Sequence, residues 1–402
     1  MAVMDYSSLL SKRVQEIQPS GIRRFFDIAN EMEDVISLGV GEPDFKTPWV
    51  VRNMAIQNLE RGQTFYTANA GLALLRKEIC RYLEEKYQLK YHPDTETLVT
   101  VGGSEGIDMC IRALVEEDDE VLVVEPCFVS YAPIVELIGA KVVPIVTDSA
   151  HKFRLTPEAL REKITPKTKL LIFPYPNNPT GGVMRREDLE AVAEVLRDTK
   201  IMVLSDEIYS ELTYNQRHVS IASIPGMWER TIVINGFSKS FSMTGWRLGY
   251  ACGPAPVIQQ MTKIHQFAIM CAPTTSQYAA IEALRRCEEN IHTMVTEYNH
   301  RRRYIVDAFN KLGLDCFEPE GAFYIFPSIQ STGLTSDEFC EKLLFSKRVA
   351  VVPGTAFGAC GEGYVRVSYS YSVKHISEAV KRIGEFLEEL KKERSAQDCR
   401  TN

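Results

Sequence analysis

The stretch TIVINGFSKSFSMTGWRLG, residues 231–249, decides how the chain is read. Its opening, Thr231 to Ile234, is apolar and β-branched, the pattern of a strand buried on both faces. A turn rich in glycine and serine follows, carrying one amine, Lys239, and eight residues later one guanidinium, Arg247. In open α/β sheets, ligands bind beyond the carboxyl ends of the strands. An amine and a guanidinium there suit a carbonyl to be captured and a phosphate to be held. The plain alternative is a basic surface turn. The other strands decide between the two.

Working outward, apolar runs recur at 98–101, 121–124, 141–146, 169–173, 201–204 and 248–251, with helical spacing at 104–116, 157–164 and 186–197. With 231–234 this predicts a seven-stranded, mostly parallel sheet covered by helices, a doubly wound α/β domain. Past Thr274 the pattern changes. Residues 276–312 read as long helix with one break, then strands are expected at 315–318, 322–326, 349–352 and 364–369. A last helix places Ile376, Val380, Ile383, Leu387 and Leu390 on one face. This predicts a large domain over 46–285 and a smaller α+β domain built from 1–45 and 286–402. The polar tail from Ser395 is expected to lack regular structure.

Composition excludes several classes. The 402 residues are 45% hydrophobic and 25% charged, enough to bury a large core. A net charge of −7 gives no footprint for nucleic acid or an anionic membrane. Ten cysteines lie singly with no C-x-x-C, and seven histidines show no H-E-x-x-H, so no metal site is expected. Reduced thiols point to a cytoplasmic protein. The first residues lack the apolar core of a signal peptide, and no run approaches the ~18 apolar residues of a membrane span.

Each strand end carries candidate chemistry. After 98–101, Gly102-Gly103-Ser104-Glu105-Gly106 opens a helix, a cradle for phosphate or simply a turn capped by Ser104. After 121–124 comes Phe128, which can cover a planar ligand or fill core. After 169–173, PYPNNPTGG holds Asn178 rigidly, either for a ligand oxygen or for its own backbone. After 201–204, Asp206 can meet a metal, a sugar hydroxyl or a protonated ring nitrogen, or cap a helix. Tyr209 follows three residues on. Gathered at one sheet edge, these groups fit a phosphorylated aromatic aldehyde, pyridoxal phosphate.

The motifs GEPDF (41–45), the tyrosine of TFYTANAG (Tyr66), GGSEG, NNPTGG, SDEIY, GFSKSFSMTGWRLGY, GAFYIFP and GEGYVRVSYS span 41–370. In that order the chain resembles the fold type I, class I/II pyridoxal-phosphate aminotransferases. In detail it is most similar to the aromatic-amino-acid and N-acetyl-diaminopimelate aminotransferases of bacteria and archaea. The resemblance implies that Lys239 forms an imine with the cofactor and that Asp206 pairs with its pyridinium nitrogen. It implies that Tyr209 and Asn178 bond its phenolic oxygen and that Phe128 stacks on its ring. Gly103, Ser104, Glu105, Ser238 and Arg247 are expected around the phosphate. Tyr66 is expected to reach it from a neighbouring subunit, implying a homodimer. Arg366, with Gly41 and Asn178, is expected to take the substrate α-carboxylate.

The activity implied is transfer of the α-amino group of an L-amino acid, aromatic, aspartate or similar, to a 2-oxo acid such as 2-oxoglutarate. Two alternatives stand beside it: a carbon–sulfur β-lyase or racemase on the same scaffold, and a non-catalytic regulator.

Overall fold

The computed structural model describes residues 4, 6–19, 21, 28 and 31–401, the side chains of 396–401 excepted. The expectation of a small domain beginning at residue 1 therefore falls partly outside the described residues. In chain order the described strands are β1 (Ile36–Ser37), β2 (Thr97–Thr100), β3 (Glu120–Glu125), β4 (Lys141–Val146), β5 (Thr168–Phe173) and β6 (Met202–Asp206). They continue with β7 (Thr231–Gly236), β8 (Gly249–Cys252), β9 (Tyr324–Ile325), β10 (Val349–Ala350), β11 (Val352–Pro353) and β12 (Val365–Ser368).

Seven of these form one sheet in the order β2-β8-β7-β6-β5-β3-β4. From β7 to β4 every neighbour is parallel. β8 runs antiparallel between β2 and β7. The fold class is thus α/β, with the mostly parallel seven-stranded sheet that the spacing of apolar runs predicts.

The apolar runs form strands because both of their faces are covered. On β3, Val121 and Val123 join one core while Leu122 and Val124 join the opposite one; on β5, Leu170 and Ile172 alternate with Leu171 and Phe173 in the same way. One face is closed by the helix Gly102–Leu114 through Ile107, Met109 and Ile111, the other by Arg186–Leu196 through Leu189 and Val192. Each such side chain, fully buried, contributes about 1.5–3 kcal/mol before ordering costs.

Beyond the sheet, Thr274–Arg286 and Glu288–Lys311 are two helices broken at Cys287, where the backbone leaves the helical region. Short sheets follow, β11-β12-β9 and β1-β10. Their core gathers Leu38, Met294, Tyr298, Phe309, Phe323, Ile376 and Ile383.

Three expectations are corrected here. Residues 315–318 form no strand: Cys316 N–H donates to the Asn310 side chain and Asp315 C=O accepts from Ser328 N–H, isolated bonds in place of a ladder. Residues 349–352 form two strands in different sheets, β10 parallel to β1 and β11 antiparallel to β12. The final helix, Val373–Thr401, continues past Ser395, through residues such as Ala396 and Arg400 that favour helix.

Candidate active site

The parallel strands β3, β5, β6 and β7 all end at one edge of the sheet, and the segments that follow them close on a cavity of about 290 Å³. The helix Gly102–Leu114 begins on its rim. β12 brings in one further side chain, Arg366, from the smaller sheets.

Lys239 lies five residues beyond Ile234, which pairs with Asp206 across β6 and β7. Its Nζ donates to the Gly41 carbonyl and sits 5.9 Å from the Tyr209 ring centroid and 5.8 Å from that of Phe323. Burial, with Arg366 and Arg247 as nearby cations, pushes the amine down to about 8. The GEPDF motif delivers Gly41: Asp44 accepts two 2.9 Å bonds from Arg301, and Phe45 meets Tyr298 edge-on. A side chain at Gly41 has no room, since a Cβ there lies 2.1 Å from Tyr324 Oη.

Asp206 ends β6, buried. Its Oδ2 accepts from Tyr131 Oη at 2.6 Å and its Oδ1 from Ile208 N–H at 3.2 Å. Burial pushes the carboxyl up despite these bonds. A cation seated against it restores the carboxylate. The next residue, Glu207, faces the other way, where its carboxylate binds Ser205, Ser220 and His218. Tyr209 shares a 2.8 Å hydrogen bond with Tyr324, and burial pushes its phenol up.

In the NNPTGG turn the backbone-bonding role belongs to Asn177, whose Oδ1 accepts from Thr180 N–H and Oγ1. Asn178 is left for the cavity, where its Oδ1 accepts from Arg366 Nη1 at 2.9 Å. Arg366 Nη2 donates to Gly39 O at 2.6 Å, and Nε, buried, has no partner. Its guanidinium lies between the rings of Tyr324 and Phe357, 4.4 and 4.7 Å from their centroids. This is a buried cation, 3% exposed, whose hydrogen bonds go to neutral oxygens. Leaving a buried charge without a counter-ion is costly unless a ligand supplies one.

Arg247 has left-handed backbone (φ 52°) and lies against the helix start, where a Cβ on Gly102 meets its Nη2 at 2.7 Å. With the free N–H groups of that helix and the side chains of Ser104 and Ser238, it forms an anion cradle. Gly103, Ser104, Phe128, Asn178, Asp206, Tyr209, Ser238, Lys239, Arg247, Gly41 and Arg366 all line the cavity. Glu105 does not: its carboxylate accepts from Val101 N–H and meets His265 Nδ1 at 2.8 Å. It stands in the first turn of the helix, behind the cradle rather than in it. Tyr66 also lies outside the lining and is 80% exposed.

Sequence reasoning assigned no role to Tyr131, Tyr324 or Thr244, which also line the cavity. Tyr324 and Thr244 stand inside motifs already quoted, and Tyr131 lies three residues after Phe128, so the available signal is position beside a named residue. Their hydroxyl partners are remote in sequence.

The donor set fits pyridoxal phosphate: a buried carboxylate for a ring cation, an anion cradle, a partly neutral amine, and a guanidinium held for a second anion. Among the described residues no cluster fit for a metal ion is present.

Residues 33–383 match the sequence profile of aminotransferase class I and II. The aspartate aminotransferase of Pyrococcus abyssi is 45% identical over 385 residues, 95% of this chain and 99% of that one. The aromatic-amino-acid aminotransferase 2 of Thermococcus litoralis is 43% identical over 385 residues, again 95% and 99%. The crystal structure of an aromatic aminotransferase from Pyrococcus horikoshii superposes with a TM-score of 0.88 at 44% identity, covering 91% of this chain and 99% of its own.

Proposed function

The chain belongs to the class I and II aminotransferases, and we propose that it uses pyridoxal phosphate, held around Lys239, to move the α-amino group of an aromatic or aspartate-like L-amino acid to a 2-oxo acid such as 2-oxoglutarate. The observation that carries this is that Lys239, Asp206, Arg247 and Arg366 line one cavity. When bound, the cofactor supplies an electron sink for the charge left when the substrate α-proton departs.

The residues do the rest. Asp206 holds a proton on the ring nitrogen. Asn178 and Tyr209 would hold the ring's phenolic oxygen, and Phe128 would cover the ring. Arg247, Ser238, Ser104 and the N–H group of Gly103 hold the phosphate. Arg366 takes the substrate α-carboxylate beside Gly41 and Asn178, replacing neutral partners by a charge-matched one. That grip aims Cα–H at Lys239, a positioning effect. Lys239 Nζ, partly neutral near pH 8, would anchor the cofactor at its aldehyde carbon and, once the substrate amine has displaced it, would take and return the Cα proton.

The exposed Tyr66 supports a site shared with a second copy, hence a homodimer. Nine cysteines free of disulfides among the described residues support a cytoplasmic setting. Among the described residues no helix is long and apolar enough to cross a membrane. The division into 46–285 and 1–45 with 286–402 belongs to the same reading.

The relatives reported above are named for amino transfer, so β-elimination and racemisation are not favoured. The test is a half-reaction screen of the holoenzyme with single amino acids. The expected result is bleaching of the cofactor's visible band with one equivalent of the matching 2-oxo acid, reversed by 2-oxoglutarate. Release of ammonia with pyruvate, and no reversal, contradicts it.

A further inference from the structure

Tyr324 stands in β9 beside Ser368 of β12, two residues from Arg366. It is buried, and its hydroxyl lies 2.8 Å from that of Tyr209. The place is built for it. Gly41 leaves the room that a Cβ would fill, and the Arg366 guanidinium covers the Tyr324 ring face at 4.4 Å. Two hydroxyls in mutual contact carry two protons, and only one can lie between the oxygens. The other is free to point elsewhere, and both residues line the cavity.

The two phenols differ in what stands over them. Tyr324 has a guanidinium on its ring. Tyr209 has the Lys239 amine, farther off at 5.9 Å. A full cation on the ring face stabilises negative charge on that phenol and makes it the stronger donor. Burial pushes both phenols up and Arg366 pulls both back; on Tyr324 it is the largest influence after burial, whereas on Tyr209 it ranks behind burial and the Tyr324 hydroxyl. The other charged or titratable groups acting on the pair are Asp206, Tyr371 and Lys239.

We propose that Tyr324 is a positioning residue: its hydroxyl donates to Tyr209 Oη, so that the Tyr209 proton is the one turned into the cavity. The consequence rests on the reading of the cavity as the pyridoxal phosphate site. There, Tyr209 becomes an obligate donor to the ring oxygen instead of an acceptor that competes with it. A proton given to that oxygen opposes the uptake of another by the adjoining nitrogen. It therefore lowers the pH at which the bound cofactor changes colour. Arg366 takes part indirectly, because the guanidinium that receives the substrate carboxylate also sets which phenol donates.

The test is a pH titration of the visible absorbance of the holoenzyme in wild type, Y324F, Y209F and the double variant, with thermal melting to verify folding. Y324F removes one oxygen and is expected to raise the midpoint by about 0.5–1 pH unit, the scale of one ordinary hydrogen bond. Y209F should raise it at least as far. The double variant should match Y209F alone, because Tyr324 acts through Tyr209. An unchanged midpoint in Y324F overturns the proposal, and so do shifts that add in the double variant. Failure of the underlying reading shows differently: wild-type protein then carries no cofactor that borohydride fixes to Lys239, and both fall together.

Discussion

The cavity holds two buried charges of opposite sign, and the fold treats them differently. Asp206 is held by an O–H and an N–H, donors that favour its anionic form. Arg366 is oriented by carbonyl and amide oxygens, and one of its nitrogens is left without a partner. Both sites are desolvated, and burial disfavours the charged form of each. The difference teaches which ligand stays and which leaves. A carboxylate fixed by donors suits a resident cation. A guanidinium aimed by neutral acceptors keeps its charge available for an anion that comes and goes.

Four measurements break or sharpen that contrast, from the largest effect down. Asp206→Asn keeps the size and removes the charge. Turnover should fall by about 10²–10³-fold or more, with cofactor still bound. Near wild-type turnover breaks the assignment. Arg366→Lys removes the planar fork. Its kcat/KM for the amino acid should drop by about 10²-fold while cofactor affinity holds; equal losses in both would make the arginine structural. Tyr131→Phe removes one donor to a charged group and should lower turnover about tenfold, with cofactor spectra shifted. An unchanged rate would show that Ile208 N–H suffices.

The smallest effect is in pH. Lys239 is lowered to about 8, first by burial, so about half of it is neutral at pH 8, against roughly 1 in 250 for an ordinary lysine. The lowered value means that protons leave as pH rises through 8, so reaction of the cofactor-free protein with pyridoxal phosphate should speed up about fivefold from pH 7 to 8 and level off above it. A rise continuing to pH 10 would mean an ordinary, solvated amine.

What was legible in the sequence follows from what periodicity can carry. Strand 141–146 is legible to both ends, and so is a single break within helix 276–312, though not its place at Cys287, because apolar runs and helical faces are local. The split of 349–352 between two sheets was not, because Val349 to Val352 is apolar throughout and an apolar run does not name its partner. Nor was the reversed direction of β8. At the site, charged residues at strand ends were legible. Tyr131 and Tyr324 are not, since the hydroxyl of each finds its partner, the Asp206 carboxylate and the Tyr209 hydroxyl, 75 or 115 residues away. In NNPTGG the two asparagines divide the work in a way that only the turn's three-dimensional path reveals.

The central claim is that Lys239 carries the cofactor. Reduction of the holoenzyme with borohydride, tryptic digestion and mass analysis tests it directly. A reduced, substituted lysine resists trypsin, so the account predicts an uncleaved peptide of residues 231–247 carrying one pyridoxyl group on Lys239. A pyridoxyl group on any other lysine, or on none, contradicts it.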